Sequence, residues 1–166
     1  RSPARFDMER LSSLNGHYIR QAEDSRLLSL LEPHISDLLG KAPDSALLAR
    51  LESLLPSLKT RANNLLEIAE NALFLFVQRP LSFDQKAAKI ITPASRIMVA
   101  ELLTELEALD DWSTETLESA VRDFIDSHSL KMGDIAQPLR AGLTGKSVSP
   151  GIFDVMMSLG REESLG

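Results

Sequence analysis

Leucine and alanine recur at intervals of three and four residues along most of this 166-residue chain, while β-branched residues never run long enough to suggest a strand. Such spacing lines one side of an α-helix, where 3.6 residues make a turn, and does not match the alternation of a pleated strand. The fold class is therefore all-α. With 43% hydrophobic residues, a chain of this length buries about 70% of the surface its unfolded form exposes, enough for an independent core. One domain or two small helical subdomains are expected.

Breakers and capping residues divide the pattern. Phe6, Leu11, Leu14 and Tyr18 form one rough apolar stripe on a short helix, followed by a break at Asn15-Gly16. Asp24 or Ser25 can cap the next helix, whose Leu27, Leu28, Leu31, Ile35, Leu38 and Leu39 face inward until Gly40 ends it; Pro33 should kink or divide it. Pro43-Asp44-Ser45 opens a third helix through Leu55. After Pro56 a fourth is expected from Ser57 to about Val77, with Leu58, Leu65, Leu66, Ile68, Ala69 and Ala72 inward. Gln78-Arg79-Pro80 reads as a junction, and Ser82-Phe83-Asp84 as a new helix start. Thr92-Pro93 places proline at a favoured first position, and Ser113 caps the helix that follows Trp112. Two further helical segments, between Lys131 and Gly160, are joined by a Gly/Ser/Pro loop that displays Arg140, Lys146, Ser147 and Ser149.

Composition narrows the chemistry. The sequence has no cysteine, so disulfides and thiolate metal sites are excluded, and no charged-plus-apolar leader or long apolar run marks export or membrane insertion. A reducing, cytoplasmic setting is expected. The net charge of −6 repels phosphate on average. Acidic residues cluster between Glu101 and Glu118, however, whereas Lys131 to Ser149 carries Lys131, Arg140 and Lys146 against Asp134 alone. Any nucleic-acid site must be a local basic face.

His17, His34 and His128 lack metal-ligand spacing, and the carboxylates read as solvated helix faces rather than an acid/base pair. Gly142 to Gly145 is too short for a phosphate-cradling loop and has no strand before it. Arg61, on the expected fourth helix, stands near the edge of the buried stripe and by itself is an ordinary surface arginine. Arg140 follows Gln137-Pro138-Leu139, where Pro138 opens or bends the helix and so fixes the arginine's direction. The loop from Thr144 to Gly151 combines hydroxyls, glycines and backbone N–H groups ahead of a helix starting near Pro150. Its composition suits hydrogen bonding to unstacked bases and equally suits a plain helix connection.

Taken whole, KMGDIAQPLRAGLTGKSVSPGIFDVMMSLG closely resembles the C-terminal anticodon-binding region of bacterial glutamyl-tRNA synthetases, and Phe6-Asp7-Met8-Glu9-Arg10-Leu11 through Tyr18-Ile19-Arg20 resembles the segment after that family's catalytic core. The resemblance implies two consecutive helical bundles forming an anticodon-binding cage. It implies the end of a stem-contact region at residues 1–24, a first anticodon-binding subdomain at 25–79 and a second at 80–166. It further implies that Arg61 reads the first anticodon base, that Arg140 and the Ser149-Pro150 pair contact the second and third, and that Lys131, Met132 and Ile152 line the same pocket.

Two departures stand out: Gly142 replaces the family's usual alanine, and Ser149 its threonine, with loss of a methyl contact. Lys131-Met132-Gly133 shares only its first letters with the KMSKS loop of class I synthetases, and no HIGH-type sequence is present. Arg1 and Gly166 resemble cut ends of a longer chain. The resemblance thus implies tRNA(Glu), with tRNA(Gln) as a further candidate, as the partner of a fragment without cofactors of its own. ATP and Mg belong to the missing catalytic domain of a monomeric parent, with no membrane or DNA partner. A helical protein-interaction module, with leucine-rich faces docking partner helices, is the alternative reading. A glutamine enzyme fits less well, because that family uses β-barrels there.

Overall fold

The computed structural model describes residues 8–166, with side chains from residue 14 onward. These residues form ten α-helices and one short 3-10 turn, with no strand among them. The chain divides into two compact units, residues 1–76 and 77–166.

The first unit contains α1 (Met8–Gln21), α2 (Asp24–Leu39), α3 (Ser45–Leu58), α4 (Leu65–Ala72) and a 3-10 turn at Leu73–Leu75. α2 packs on α3 and α4, burying Leu27, Leu31 and Ile35 against Leu51, Leu55, Ile68 and Ala72. Pro33 lies inside α2 without dividing it. A mid-helix proline costs about 3 kcal/mol. The three apolar side chains that α2 buries around it contribute roughly 1.5–3 kcal/mol each, so packing outweighs the lost bond. The α2 N-cap is Glu23, whose side chain makes no capping bond. Asp24 lies one residue further in, and Lys59 Nζ donates to its carboxylate at 2.6 Å and to Ala22 O at 3.1 Å. That lysine ties the start of α2 to the end of α3. Gly40, at φ 67°, closes α2.

Other expectations also fail in this unit. Asn15-Gly16 does not interrupt α1, which runs on to Gln21. The glycine serves packing rather than a break: a Cβ on Gly16 would sit 3.3 Å from Ala62 O and 3.1 Å from Asn63 Oδ1, so its absence lets α1 lie close to residues 62–63. Among its described side chains Ile19 is buried, while Leu14 and Tyr18 are 50% and 67% exposed. Phe6 of the expected stripe lies outside the described residues, and the side chain of Leu11 outside the described side chains. Nor does Pro56 separate the third and fourth helices. α3 passes through it to Leu58, and the break falls at 59–64. There Asn64 Oδ1 accepts from Glu67 N at 2.8 Å and Glu67 Oε2 accepts from Asn63 N at 2.8 Å, a reciprocal start for α4. α4 ends at Ala72, well short of Val77.

The second unit contains α5 (Gln85–Ile90), α6 (Pro93–Glu107), α7 (Thr114–Ser127), α8 (Met132–Thr144), α9 (Ile152–Leu159) and α10 (Arg161–Leu165). α8 is its hub, packed on α5, α6, α7 and α9. Leu102, Leu106, Leu117, Val121, Phe124, Ile135, Leu139, Val155 and Met156 make the core. Helix starts follow their capping residues: Asp84 Oδ1 accepts from Ala87 N at 2.6 Å, and Thr92 and Ser95 exchange bonds as a capping box. Ser113 Oγ accepts from Thr116 N at 3.3 Å. Arg161 donates to Glu107 O at 2.7 Å, placing a cation at the negative end of α6. Pro138 stands inside α8, buried, and does not open the helix.

Candidate functional site

The loop between α8 and α9 is held from three directions. Gly145, in the left-handed conformation at φ 73°, closes α8, its N–H donating to Ala141 O at 2.8 Å. Thr144 Oγ1 donates to Arg140 O at 2.8 Å and accepts from Lys146 N at 3.2 Å, which turns the chain out of the helix. From the segment before α5, Asp84 N donates to Gly145 O at 2.9 Å, and Asp84 Oδ2 accepts a longer bond from Ser147 N at 3.4 Å. The approach there is so close that a Cβ on Gly145 would collide with Ser82 O.

Arg79 adds a second brace. Its guanidinium donates to Leu143 O at 3.0 Å and reaches Gly142 O at 3.5 Å, so a cation satisfies the last carbonyls of α8. Burial pushes its pKa down from the usual arginine value, and Glu163 opposes that shift.

Arg140 and Ser149 meet directly. Arg140 Nε donates to Ser149 Oγ at 3.0 Å, and that hydroxyl donates onward to Pro150 O at 2.7 Å. The chain of two bonds fixes the plane of a half-buried guanidinium. Ser149 was expected to be displayed by its loop, yet it is only 6% exposed. Its hydroxyl is occupied by Arg140 and Pro150, while Val148 forms the 63% exposed tip. Ile152, buried, is the first residue of α9.

Lys131 and Met132 lie elsewhere. Both are exposed at the start of α8, where Asp134 Oδ2 accepts from Lys131 N at 2.9 Å. Nine residues of helix separate Lys131 from Arg140, about 13 Å along the axis at 1.5 Å per residue. Arg61, in the first unit, is not on a helix as expected. It sits exposed in the turn at residues 59–64, whose ends are fixed by Lys59 on Asp24 and by Asn63 on Glu67. Arg79 and Asp84 were legible only as a junction and a helix start. Nothing local in the sequence marks their bonds to the end of α8 and the loop after it, more than sixty residues away.

Charge is segregated within the second unit. Arg79, Lys86, Lys89 and Arg96 share one stretch of chain with Asp84, and Lys131, Arg140 and Lys146 share another with Asp134. Packing of α5 on α8 brings these two basic stretches together. α6 and α7, with the turn between them, carry nine carboxylates, all after Arg96 near the start of α6 and opposed beyond it by Arg122 alone. Among the described residues no cluster of His, Asp or Glu is placed to hold a metal ion, and no helix is long and apolar enough to cross a membrane. A fixed arginine beside hydroxyls and backbone groups, on the basic side of an acidic unit, can recognise base edges and phosphates.

Comparison with known proteins gives the arrangement a family. Over 165 residues the chain is 50% identical to "Glutamate--tRNA ligase 2" of Zymomonas mobilis, covering 99% of this chain and 34% of that protein. It is 48% identical over 165 residues to the Rhodospirillum centenum protein of the same name, covering 35% of it. The chain therefore spans about a third of the length of the relatives it matches. A glutamate tRNA ligase structure from Elizabethkingia meningosepticum shares the fold with a TM-score of 0.77 at 24% identity, over 99% of this chain and 32% of that one. The profile described as "Anticodon binding domain" matches residues 26–166, and this chain belongs to that family.

Proposed function

We propose that the chain reads the anticodon of tRNA(Glu) as part of a glutamate-tRNA ligase. The observation that carries this reading is the Arg140–Ser149–Pro150 chain of hydrogen bonds, a preset base-edge donor on the basic side of the second unit. Its mechanism is binding, not bond-making. Unstacked anticodon bases meet Arg61, Arg140 and the loop through Ser149, Pro150 and Ile152, and Lys131 and Met132 contribute at the far end of α8. Residues 1–24 serve as the end of a stem-contact region, followed by anticodon-binding subdomains at 25–79 and 80–166. Ligation of glutamate, with ATP and Mg, belongs to the remainder of a monomeric cytoplasmic enzyme.

Binding of an anticodon stem-loop RNA to this chain tests the reading. Arg140→Ala should weaken binding of the tRNA(Glu) stem-loop by about tenfold or more, since a bidentate base contact carries about 1–3 kcal/mol. Unchanged affinity would remove the basis for the assignment. Arg61→Gln should narrow the preference between tRNA(Glu) and tRNA(Gln) stem-loops; equal binding of both by the unmutated chain would instead make tRNA(Gln) a second partner.

One observation favours a protein-docking reading. A groove of about 860 Å³ in the first unit is lined by Tyr18, Ile19, Leu27, Leu30, Leu65 and Leu66, and Tyr18, Leu30 and Leu66 are exposed. RNA binding that ignores both anticodon and salt would favour that reading over the first.

A further inference from the structure

We propose that Asp84 is a positioning residue for base reading: it fixes the α8–α9 loop and, through Ser149, the guanidinium of Arg140. This inference rests on the anticodon reading above and extends it to a residue that need not touch RNA. Capping α5 requires one side-chain oxygen, and Asp84 Oδ1 supplies it to Ala87 N at 2.6 Å. The rest of the residue is turned to the loop. Oδ2 accepts from Ser147 N at 3.4 Å, and the backbone N–H donates to Gly145 O at 2.9 Å. Lys146 adds Coulombic attraction to the same carboxylate.

Lys146 and Ser147 lie two or three residues before Ser149, and Ser149 Oγ receives Arg140 Nε at 3.0 Å. Ser82 O leaves no room for even a methyl group on Gly145, so the loop has little freedom on that side. A displacement of Ser147 is therefore passed along two peptide units to the hydroxyl that sets the arginine plane. Neighbours in one hydrogen-bond network couple in this way.

Asp84→Asn separates the two roles. Asparagine caps a helix as well as aspartate does, but it removes the negative charge facing Lys146 and turns an amide N–H₂ or a shared carbonyl toward Ser147 N–H. The 166-residue chain would be titrated with the tRNA(Glu) anticodon stem-loop and with stem-loops altered at single anticodon bases, with Arg140→Ala as control. The expected result is a folded D84N chain whose preference for the unaltered stem-loop falls by about tenfold. Its Arg140 Nε–H resonance should also shift in the RNA-free protein, a change that a capping role alone would not produce. Asp84→Ser, which caps but is too short to reach the loop, should behave alike.

If D84N keeps full discrimination and an unmoved Arg140 resonance while Arg140→Ala loses discrimination, the inference is overturned and the anticodon reading survives. If the unmutated chain does not distinguish the stem-loops at all, both fall. Should neither variant fold, amide exchange in the unmutated chain decides: a Ser147 N–H that exchanges as fast as an open loop would overturn the proposal.

Discussion

Ser149 and Asp84 show how a short polar residue acquires a role from what surrounds it. As a letter in a Gly/Ser/Pro loop, Ser149 suggested an exposed contact. Folded, it is buried, and its hydroxyl joins Arg140 to Pro150 O. Nothing in the local sequence distinguishes the two outcomes, because burial there depends on how α8 and α9 pack. Asp84 titrates accordingly. The N–H of Ala87 is the main cause that holds its carboxyl below the ordinary value of 3.8, helped by Ser147, Lys86 and Lys146 and opposed by desolvation. A carboxyl depressed in the folded state stabilises the fold at pH above its unfolded value, and that contribution is lost as pH falls through the lower folded value. The small stability gap between the unmutated chain and D84N should thus be constant above about pH 5 and shrink below about pH 4. Thermal melts across that range would show it, and a gap that widened on acidification would contradict the assignment.

At the level of elements, most helix starts were readable because their caps are local. Asp44, Asp84, Thr92 and Ser113 each accept a bond from a backbone N–H two or three residues on. Around Pro56 a cap outweighs a proline. The Asn64-x-x-Glu67 pattern was present in the sequence, and it, not the proline, sets where α4 begins. Leu54, Leu55 and Leu58, all buried, hold α3 together across the ring. Two glycines of α8 and its cap offer a sharp contrast. A methyl on Gly142 meets nothing within 4 Å, so Gly142→Ala should stabilise the chain by about 0.5–1 kcal/mol through helix propensity. Gly145 has φ 73° and no space, so Gly145→Ala should cost at least about 1–2 kcal/mol from the left-handed backbone alone. Urea unfolding of the two variants measures both, and midpoints moving in the same direction would refute the pair.

For the whole molecule, the net charge of −6 conceals the distribution that matters. The basic stretches gathered by α5 and α8 can displace counterions locally even while the acidic α6–α7 side repels RNA. If three or four phosphates are neutralised, the logarithm of the stem-loop affinity should fall with the logarithm of salt concentration at a slope of about −2 to −3. A flat salt profile would instead suit a protein-docking surface. All-helical class and the location of the basic loop were legible in the sequence, since both follow from periodicity and composition. The struts that shape the loop were not, since Arg79 and Asp84 act on partners 63 or 64 residues away. That separation has a kinetic side. Closing so large a stretch of chain is entropically costly, so contacts of this kind form after the local helices. The corner carrying Arg140 therefore becomes rigid only when the strands of sequence on either side of α6 and α7 have met. On the anticodon reading proposed above, a partly folded or newly made chain should be blind to anticodons, and unable to compete for tRNA with finished copies.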